Sequence, residues 1–140
     1  MNIKKVNTNS PQVLAALAFL HSECLPSDEY PDFSLGWWWL AYDENDNPVG
    51  FAGLYPSVRW AQTGYLCRAG VLESARGKGL QKALIKARIR HAKRLGYHWL
   101  LSDTRRNPAS SNALISCGFR LYEPSIPWGF RNSLYFRLKL

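Results

Sequence analysis

Residues Tyr65 to Leu72 form an almost unbroken apolar run, with Arg68 as its one charged interruption. A run of that length fits a strand covered on both faces, so it belongs in the middle of a sheet. Directly after it come the turn Arg76-Gly77-Lys78-Gly79-Leu80-Gln81 and an amphipathic stretch predicted as a helix over Leu80–Leu95. The paired glycines let the backbone turn tightly and approach a ligand closely. The first N–H groups of the helix are unpaired, and they stand at the positive end of its dipole. Such a helix start binds an anion, most often a phosphate or pyrophosphate. Arg76, Lys78 and Lys82 add positive charge at the same place.

The remaining pattern places this unit in a layered α/β domain. Ile3–Val6 reads as a first strand. Ser10 and Pro11 form a cap-plus-proline helix start, and the helix to Cys24 should bury Leu14, Leu17, Ala18 and His21. Pro26–Phe33, acidic and proline-bearing, reads as a loop or a short irregular helix. Trp37–Tyr42, the turn Asp43–Asn47 and Pro48–Tyr55 make a hairpin. On the helix after the glycine turn, Leu80, Ala83, Leu84, Ala87, Ala92 and Leu95 share the apolar side, opposite Lys82, Lys86 and Lys93. Gly96 stops it. His98–Asp103 is a strand, and Asn107-Pro108 opens a helix ending at Gly118. Phe119–Tyr122 and Leu134–Leu140 close the chain. The order β-α-β-β-β-α-β-α-β-β implies a mixed, mostly antiparallel sheet of six to seven strands flanked by helices, with residues 1–140 as one domain. Trp37, Trp38 and Trp39 alternate faces, which puts two rings in the core and one at a surface or pocket. His21, His91 and His98 are scattered and read as core or surface residues, and Cys67 as a small buried apolar side chain.

Charge narrows the partners. The net charge of +8 and pI near 9.7 suit a polyanion, either nucleic acid or a multiply phosphorylated small molecule. Cations gather from Arg59 to Lys93 and at Arg105 and Arg106, whereas Glu23, Asp28, Glu29 and Asp32 crowd one segment and Asp43, Glu44 and Asp46 another. That separation favours two different ligands on two sides over an even nucleic-acid-binding coat, so no nucleic acid is expected. Val13–Leu20 reads as the start of a helix rather than a signal sequence. No stretch reaches the roughly 20 apolar residues of a membrane span, so no membrane partner is expected. Cys24, Cys67 and Cys117 are odd in number and lack metal-ligand spacing, which predicts free thiols, no metal site and a cytoplasmic protein.

The strand Tyr65–Leu72, the turn Arg76–Gln81 and the series Asn107, Ser110, Leu114, Gly118-Phe119 together resemble the GNAT superfamily of acetyl-CoA-dependent N-acetyltransferases. The likeness covers nearly the whole chain in element order and about Ala69 to Phe119 residue by residue. The family turn is written Gln/Arg-x-x-Gly-x-Gly/Ala; Arg76 through Leu80 match it, and Gln81 departs from it. The resemblance implies that the backbone of Ala69, Gly70 and Val71 pairs with the pantetheine arm of acetyl-CoA. It implies that Arg76, Gly77, Lys78, Gly79, Leu80, Gln81 and Lys82 hold the pyrophosphate, and that Asn107 contacts the coenzyme with Ser110 close by. A gap between strands around Val71 and Asp103 would take the thioester, polarised by backbone N–H groups at Gly70–Leu72.

The implied activity is acetyl transfer to a primary amine of a small cationic molecule or a peptide, by direct attack in a ternary complex. No metal is implied, and a homodimer is compatible with the resemblance. Many members carry a tyrosine seven residues after the asparagine as general acid; here that position is Leu114. Tyr122, Cys117 and Ser110 are the candidate replacements, with water as the alternative because a thiol of pKa about 8.5 leaves readily. Asp103 and Glu23, acting through water, are the candidate general bases. The four carboxylates between Glu23 and Asp32 read either as a solvated loop or as a wall that attracts a cationic amine. Pro124–Phe130 should form the opposite lip. A non-catalytic acyl-CoA-binding module and a basic nucleic-acid-binding protein are the competing classes.

Overall fold

A computed structural model describes residues 2–140. Seven strands form one sheet in the order β1-β2-β3-β4-β5-β7-β6. The strands are β1 (Asn2–Val6), β2 (Trp37–Tyr42), β3 (Pro48–Pro56), β4 (Thr63–Val71), β5 (Trp99–Thr104), β6 (Arg120–Tyr122) and β7 (Leu134–Lys139); the helices are α1 (Pro11–Cys24), α2 (Leu80–Arg94) and α3 (Pro108–Ser116). Every neighbouring pair is antiparallel except β4 and β5, which are joined through α2. The element order is the one read from the sequence, and most boundaries agree within two residues.

Side-chain alternation divides the core into two layers. On one face Trp38, Leu40 and Phe51 pack with Leu17 and Leu20 of α1 and with Phe33. On the other, Trp39, Ala41, Ala52, Leu54, Leu66 and Leu100 pack beneath Leu84, Ile85 and Ala92 of α2 and Leu114 of α3. Trp37 lies on the α2 face, its ring 5.2 Å from that of His91. His91 is held below its ordinary pKa by burial and then by Lys5 and Arg94. The segment after α1 contains no helix, although it delivers Phe33 to the core.

Two expected core positions are corrected: Leu14 is 38% exposed and Leu95 is 36% exposed. α1 covers only the middle of the sheet, so the apolar stripe that is used narrows to Leu17, Leu20 and His21. The opposite surprise is Arg88, which is 2% exposed on the sheet-facing side of α2.

Arg88 is explained by a defect in the ladder. Ala52 pairs with Ala69 and Leu54 with Leu66, so β4 carries one extra residue opposite Gly53. That is a β-bulge, which leaves a residue without its own partner and bends the strand. Arg88 donates from Nη1 to the Gly53 carbonyl at 3.1 Å and from Nε to the Leu84 carbonyl at 3.1 Å. Burial lowers its pKa to about 10, still well above neutral, so the guanidinium stays charged and keeps both bonds. β4 leaves β5 as it enters the bulge: their pairing ends at Tyr65 and Leu101, whereas the strands continue to Val71 and Thr104. The sheet therefore opens into a wedge in its middle.

Gly53 has no room for a side chain. A Cβ there would lie 2.6 Å from Cys67 Sγ and 2.7 Å from Trp38 Cζ3. Gly53→Ala should destabilise the fold by about 1–3 kcal/mol, the usual cost of overpacking. A urea-unfolding midpoint indistinguishable from that of the parent chain would contradict this account of the bulge.

Candidate functional site

The wedge is the middle of a continuous recess with three parts. At the ends of β4 and α3 lies a groove of about 620 Å³. It joins a slot of about 650 Å³ between the diverging strands, with Ala69, Gln81, Asn107 and Ser110 lining both. The slot in turn meets a pocket of about 450 Å³ on the α1 face of the sheet, with Tyr65, Asp103 and Phe130 forming the shared wall.

The groove is built by the glycine turn. Gly77 and Gly79 have φ of +80° and +77°, and nothing lies within 4 Å of where their Cβ atoms would stand. Gly79 caps α2 without a side-chain bond, and the first donor of the helix to find a backbone acceptor is Ala83 N–H, on Gly79 O at 3.0 Å. The N–H groups of Leu80, Gln81 and Lys82 thus stand unpaired at the positive end of the helix, among cations. Arg76 folds back, donating from Nε to the Val71 carbonyl at 3.2 Å.

Gln81, the departure from the usual turn, points aside. Its Nε2 donates to Ser110 Oγ at 2.9 Å, and Ser110 N–H donates to Asn107 Oδ1 at 3.0 Å. These bonds tie the first turns of α2 and α3 together and leave Asn107 Nδ2 as the available donor of that side chain. All the coenzyme residues anticipated from the sequence line the groove except Lys78, which is exposed; it adds to the effect of the Asn47 N–H in holding the Asp43 carboxyl below the usual range.

The open edge of β4 alternates. Leu72 N–H is taken by the Val49 carbonyl at 2.8 Å, so in an antiparallel ladder Gly70 also faces β3, and Ala69 and Val71 turn their backbone groups toward the wedge. Gly70 has a packing reason of its own, since a Cβ there would sit 2.4 Å from Cys24 Cβ. In that stretch Ala69 and the Val71 N–H offer edge hydrogen bonds to an extended ligand, the Val71 carbonyl being engaged by Arg76.

Asp103 stands between slot and pocket. Tyr65 Oη donates to its Oδ1 at 2.8 Å. Burial raises the Asp103 pKa above the usual carboxylate range, against the opposing pull of the Tyr65 hydrogen bond and nearby Arg105. Burial and the adjacent carboxylate push the Tyr65 phenol far above its ordinary value, so it stays protonated. Glu23 is exposed on α1 and lines no part of the recess; Tyr122 accepts from Trp128 Nε1 at 3.1 Å behind the pocket wall. Cys117 also lies outside the recess, whereas Leu114 walls the slot and Ser110 reaches it.

The acidic segment is partly neutralised. Arg68, the charged interruption of β4, pairs with Asp28 at 3.3 Å, bonds the Glu29 carbonyl at 3.0 Å and lies 3.1 Å from His21 Nε2. Burial lowers the His21 pKa, with Arg68 adding to the effect, so the neutral ring accepts from Arg68. Asp32 accepts from Ser34 N–H at 2.9 Å and also from its hydroxyl. Arg68, Arg88 and Tyr65 escaped the sequence reading as parts of the site; a lone arginine within an apolar run was the one available signal.

Among the described residues no cluster of His, Cys, Asp and Glu is placed to hold a metal ion, and no helix is long and apolar enough to cross a membrane. The model of the Acetyltransferase (GNAT) family matches residues 11–119. No curated protein matches the chain. Among solved structures, a Bacillus subtilis acetyltransferase in complex with CoA is similar at TM-score 0.77 and 22% identity, over 99% of this chain and 98% of that one. The IAA acetyltransferase from Bacillus cereus gives TM-score 0.75 and 21% identity over 99% of both chains. A GNAT family acetyltransferase from Elizabethkingia anophelis with acetyl-CoA bound gives 0.73 and 21%, over 99% and 97%.

Because Tyr65 is the neutral donor to a buried carboxylate, Tyr65→Phe should raise the Asp103 pKa further. A carboxyl-carbon NMR titration in which Asp103 titrates at the same pH in both proteins would contradict this pairing.

Proposed function

The chain belongs to the Acetyltransferase (GNAT) family, and from that premise we propose that it transfers the acetyl group of acetyl-CoA to a primary amine with Asp103 as general base. The single observation that carries the reading is the unbroken recess from an anion-binding turn, through the split between β4 and β5, to a carboxylate at the wall of a second pocket. When bound, acetyl-CoA supplies an activated acetyl group as a thioester. The unpaired N–H groups of Leu80, Gln81 and Lys82, with Arg76 beside them, suit its pyrophosphate. Ala69 and Val71 suit its amide-bearing arm as edge partners of β4, and Asn107 Nδ2 adds a donor at the junction with the slot. The Val71 N–H suits polarisation of the carbonyl, since Leu72 N–H is already used.

An alkylammonium has a pKa of about 10, so a proton must leave before attack. Burial works on both partners in the same sense: it raises the Asp103 carboxyl and lowers a neighbouring ammonium. Their gap closes, and proton transfer leaves two neutral groups in a site that disfavours charge. The amine nitrogen then bonds to the acetyl carbonyl carbon, the carbon–sulfur bond breaks, and the second proton lost by the nitrogen passes through water to the departing thiolate. The amine's proton passes from Asp103 to solvent. Glu23 and Tyr122 have no place in this scheme, because neither reaches the recess.

Arg76→Ala combined with Gly79→Asp should weaken coenzyme A binding by about 100-fold or more, near 3 kcal/mol. Calorimetry giving an unchanged Kd would remove the glycine turn from the coenzyme site. Asp103→Asn should lower kcat/KM by about 10²–10⁴-fold, the range of a general base. Below the Asp103 pKa the carboxyl already holds a proton, so the parent activity should rise with pH through a value above the ordinary carboxylate range. The Asn variant should lack that limb; a pH profile of unchanged shape would exclude Asp103 as the base.

A further inference from the structure

The pocket beyond Asp103 has a chemistry of its own. Its walls are the rings of Tyr55, Trp60, Tyr65, Trp128 and Phe130, and Asp103 is its only carboxylate. At about 450 Å³ it lies within the range of sites that enclose small molecules. Both lips are fixed by their own hydrogen bonds. On the β3–β4 loop, Ser57 Oγ accepts from Arg59 N–H at 3.1 Å and from Trp60 N–H at 3.3 Å. On the β6–β7 loop, Gly129 N–H donates to Tyr135 Oη at 2.9 Å, and Trp128 packs against Tyr135 with ring centroids 4.8 Å apart. A Cβ on Gly129 would stand 2.9 Å from Asp103 Oδ2, so only glycine lets this lip close down on the carboxylate.

The charges around the pocket select against polycations. Asp103 is the single negative group, whereas Arg59 lines the rim and Arg105 sits 4.5 Å from the Phe130 ring centroid. A second ammonium on the acceptor would meet the arginines at the rim, with no second carboxylate in the pocket to pair with. The acidic segment stands apart from the pocket: Arg68 holds Asp28, Ser34 engages Asp32, and Asp28 and Glu29 border the adjoining slot rather than this pocket.

Resting on the acetyl-transfer reading, we propose that the acceptor is a primary monoamine with an aromatic or bulky apolar body. Its ammonium sits against Asp103, and its body fills the box between Trp60, Trp128 and Phe130. The amine gains from the ring faces as a cation and from the rings as an apolar surface. The proton leaves to Asp103, and the nitrogen faces the slot where the carbon–sulfur bond breaks.

Initial rates with acetyl-CoA and phenethylamine, spermidine or a lysine-containing peptide would test this, using the whole chain with Trp60→Ala and Phe130→Ala. Both side chains are substantially exposed, at 44% and 69%, so neither truncation removes core packing. Phenethylamine should have a KM at least tenfold below those of the other two acceptors. Each variant should raise it about tenfold while coenzyme A binding by calorimetry stays unchanged. A lower KM for spermidine or the peptide, or variants with the parent KM, would overturn the aromatic box and leave the acetyl-transfer reading standing. Absence of coenzyme A binding, or of transfer to any amine, would overturn both.

Discussion

The extra residue in β4 is the constraint on which the site depends. A regular β4 would stay paired with β5 to their ends and close the sheet, and the recess would be filled by backbone hydrogen bonds. The bulge opposite Gly53 bends the strand, ends the pairing at Tyr65 and Leu101, and exposes the backbone edge of Ala69 and Val71. The bend has a cost, since the Gly53 carbonyl needs a partner and its neighbours need space. Arg88 meets the first need and the missing Cβ of Gly53 the second. A charged side chain buried on α2 is thereby explained by a feature of the strand beneath it. The helix that begins at the glycine turn is the same helix that carries Arg88 to the bulge, so turn and slot are positioned together.

The fold was legible from the sequence because local signals agreed with one another. Ser10-Pro11 and Asn107-Pro108 mark helix starts, Gly96 marks a helix stop, and the central run Tyr65–Leu72 is too apolar for any position but the middle of the sheet. The glycine turn was legible for the same reason, since positive φ at Gly77 and Gly79 is a local demand. What stayed hidden is what long-range packing decides. The bulge appears only when β3 and β4 are laid side by side, and Arg88 looks like one more exposed cation until that register is known. Tyr65 and Asp103 are 38 residues apart, and their bond exists because β4 and β5 are parallel neighbours at that level. Leu14 went the other way: the helical period put it on the apolar stripe, but α1 rests on too narrow a part of the sheet to cover it.

The separation of acidic and basic residues resolves into two local uses. The cations of the second half split between the turn, where Arg76 and Lys82 border the groove, and the wedge, where Arg68 and Arg88 stitch elements together. In the loop after α1 the Asp28 carboxylate and the Glu29 backbone carbonyl hold Arg68, while Asp32 bonds to Ser34 within the loop. Arg68 joins α1, β4 and the loop through His21, Asp28 and the Glu29 carbonyl, an arrangement that requires His21 to remain neutral. A single exposed ion pair of this kind contributes little to stability. Its geometric effect is larger, because it fixes one wall of the recess relative to the exposed edge of β4.

The absence of a tyrosine at position 114 follows the same division of labour. Two protons move in acetyl transfer to an amine, and they are not equally difficult. Removing one from an ammonium of pKa about 10 at neutral pH costs about 4 kcal/mol, whereas a thiolate of pKa about 8.5 takes one up with a gain of about 2 kcal/mol. In the proposed scheme the buried, pKa-shifted pair, Asp103 and Tyr65, serves the amine. At the other end it offers Leu114 as an apolar wall and the Ser110 hydroxyl, which accepts from Gln81 and so keeps its own hydrogen free to donate. A hydroxyl there can hydrogen-bond a departing thiolate without surrendering a proton. The demand for an acid at the leaving group is the weaker of the two, and in the proposed scheme water meets it; the demand for a base at the amine is the one that needs a built site.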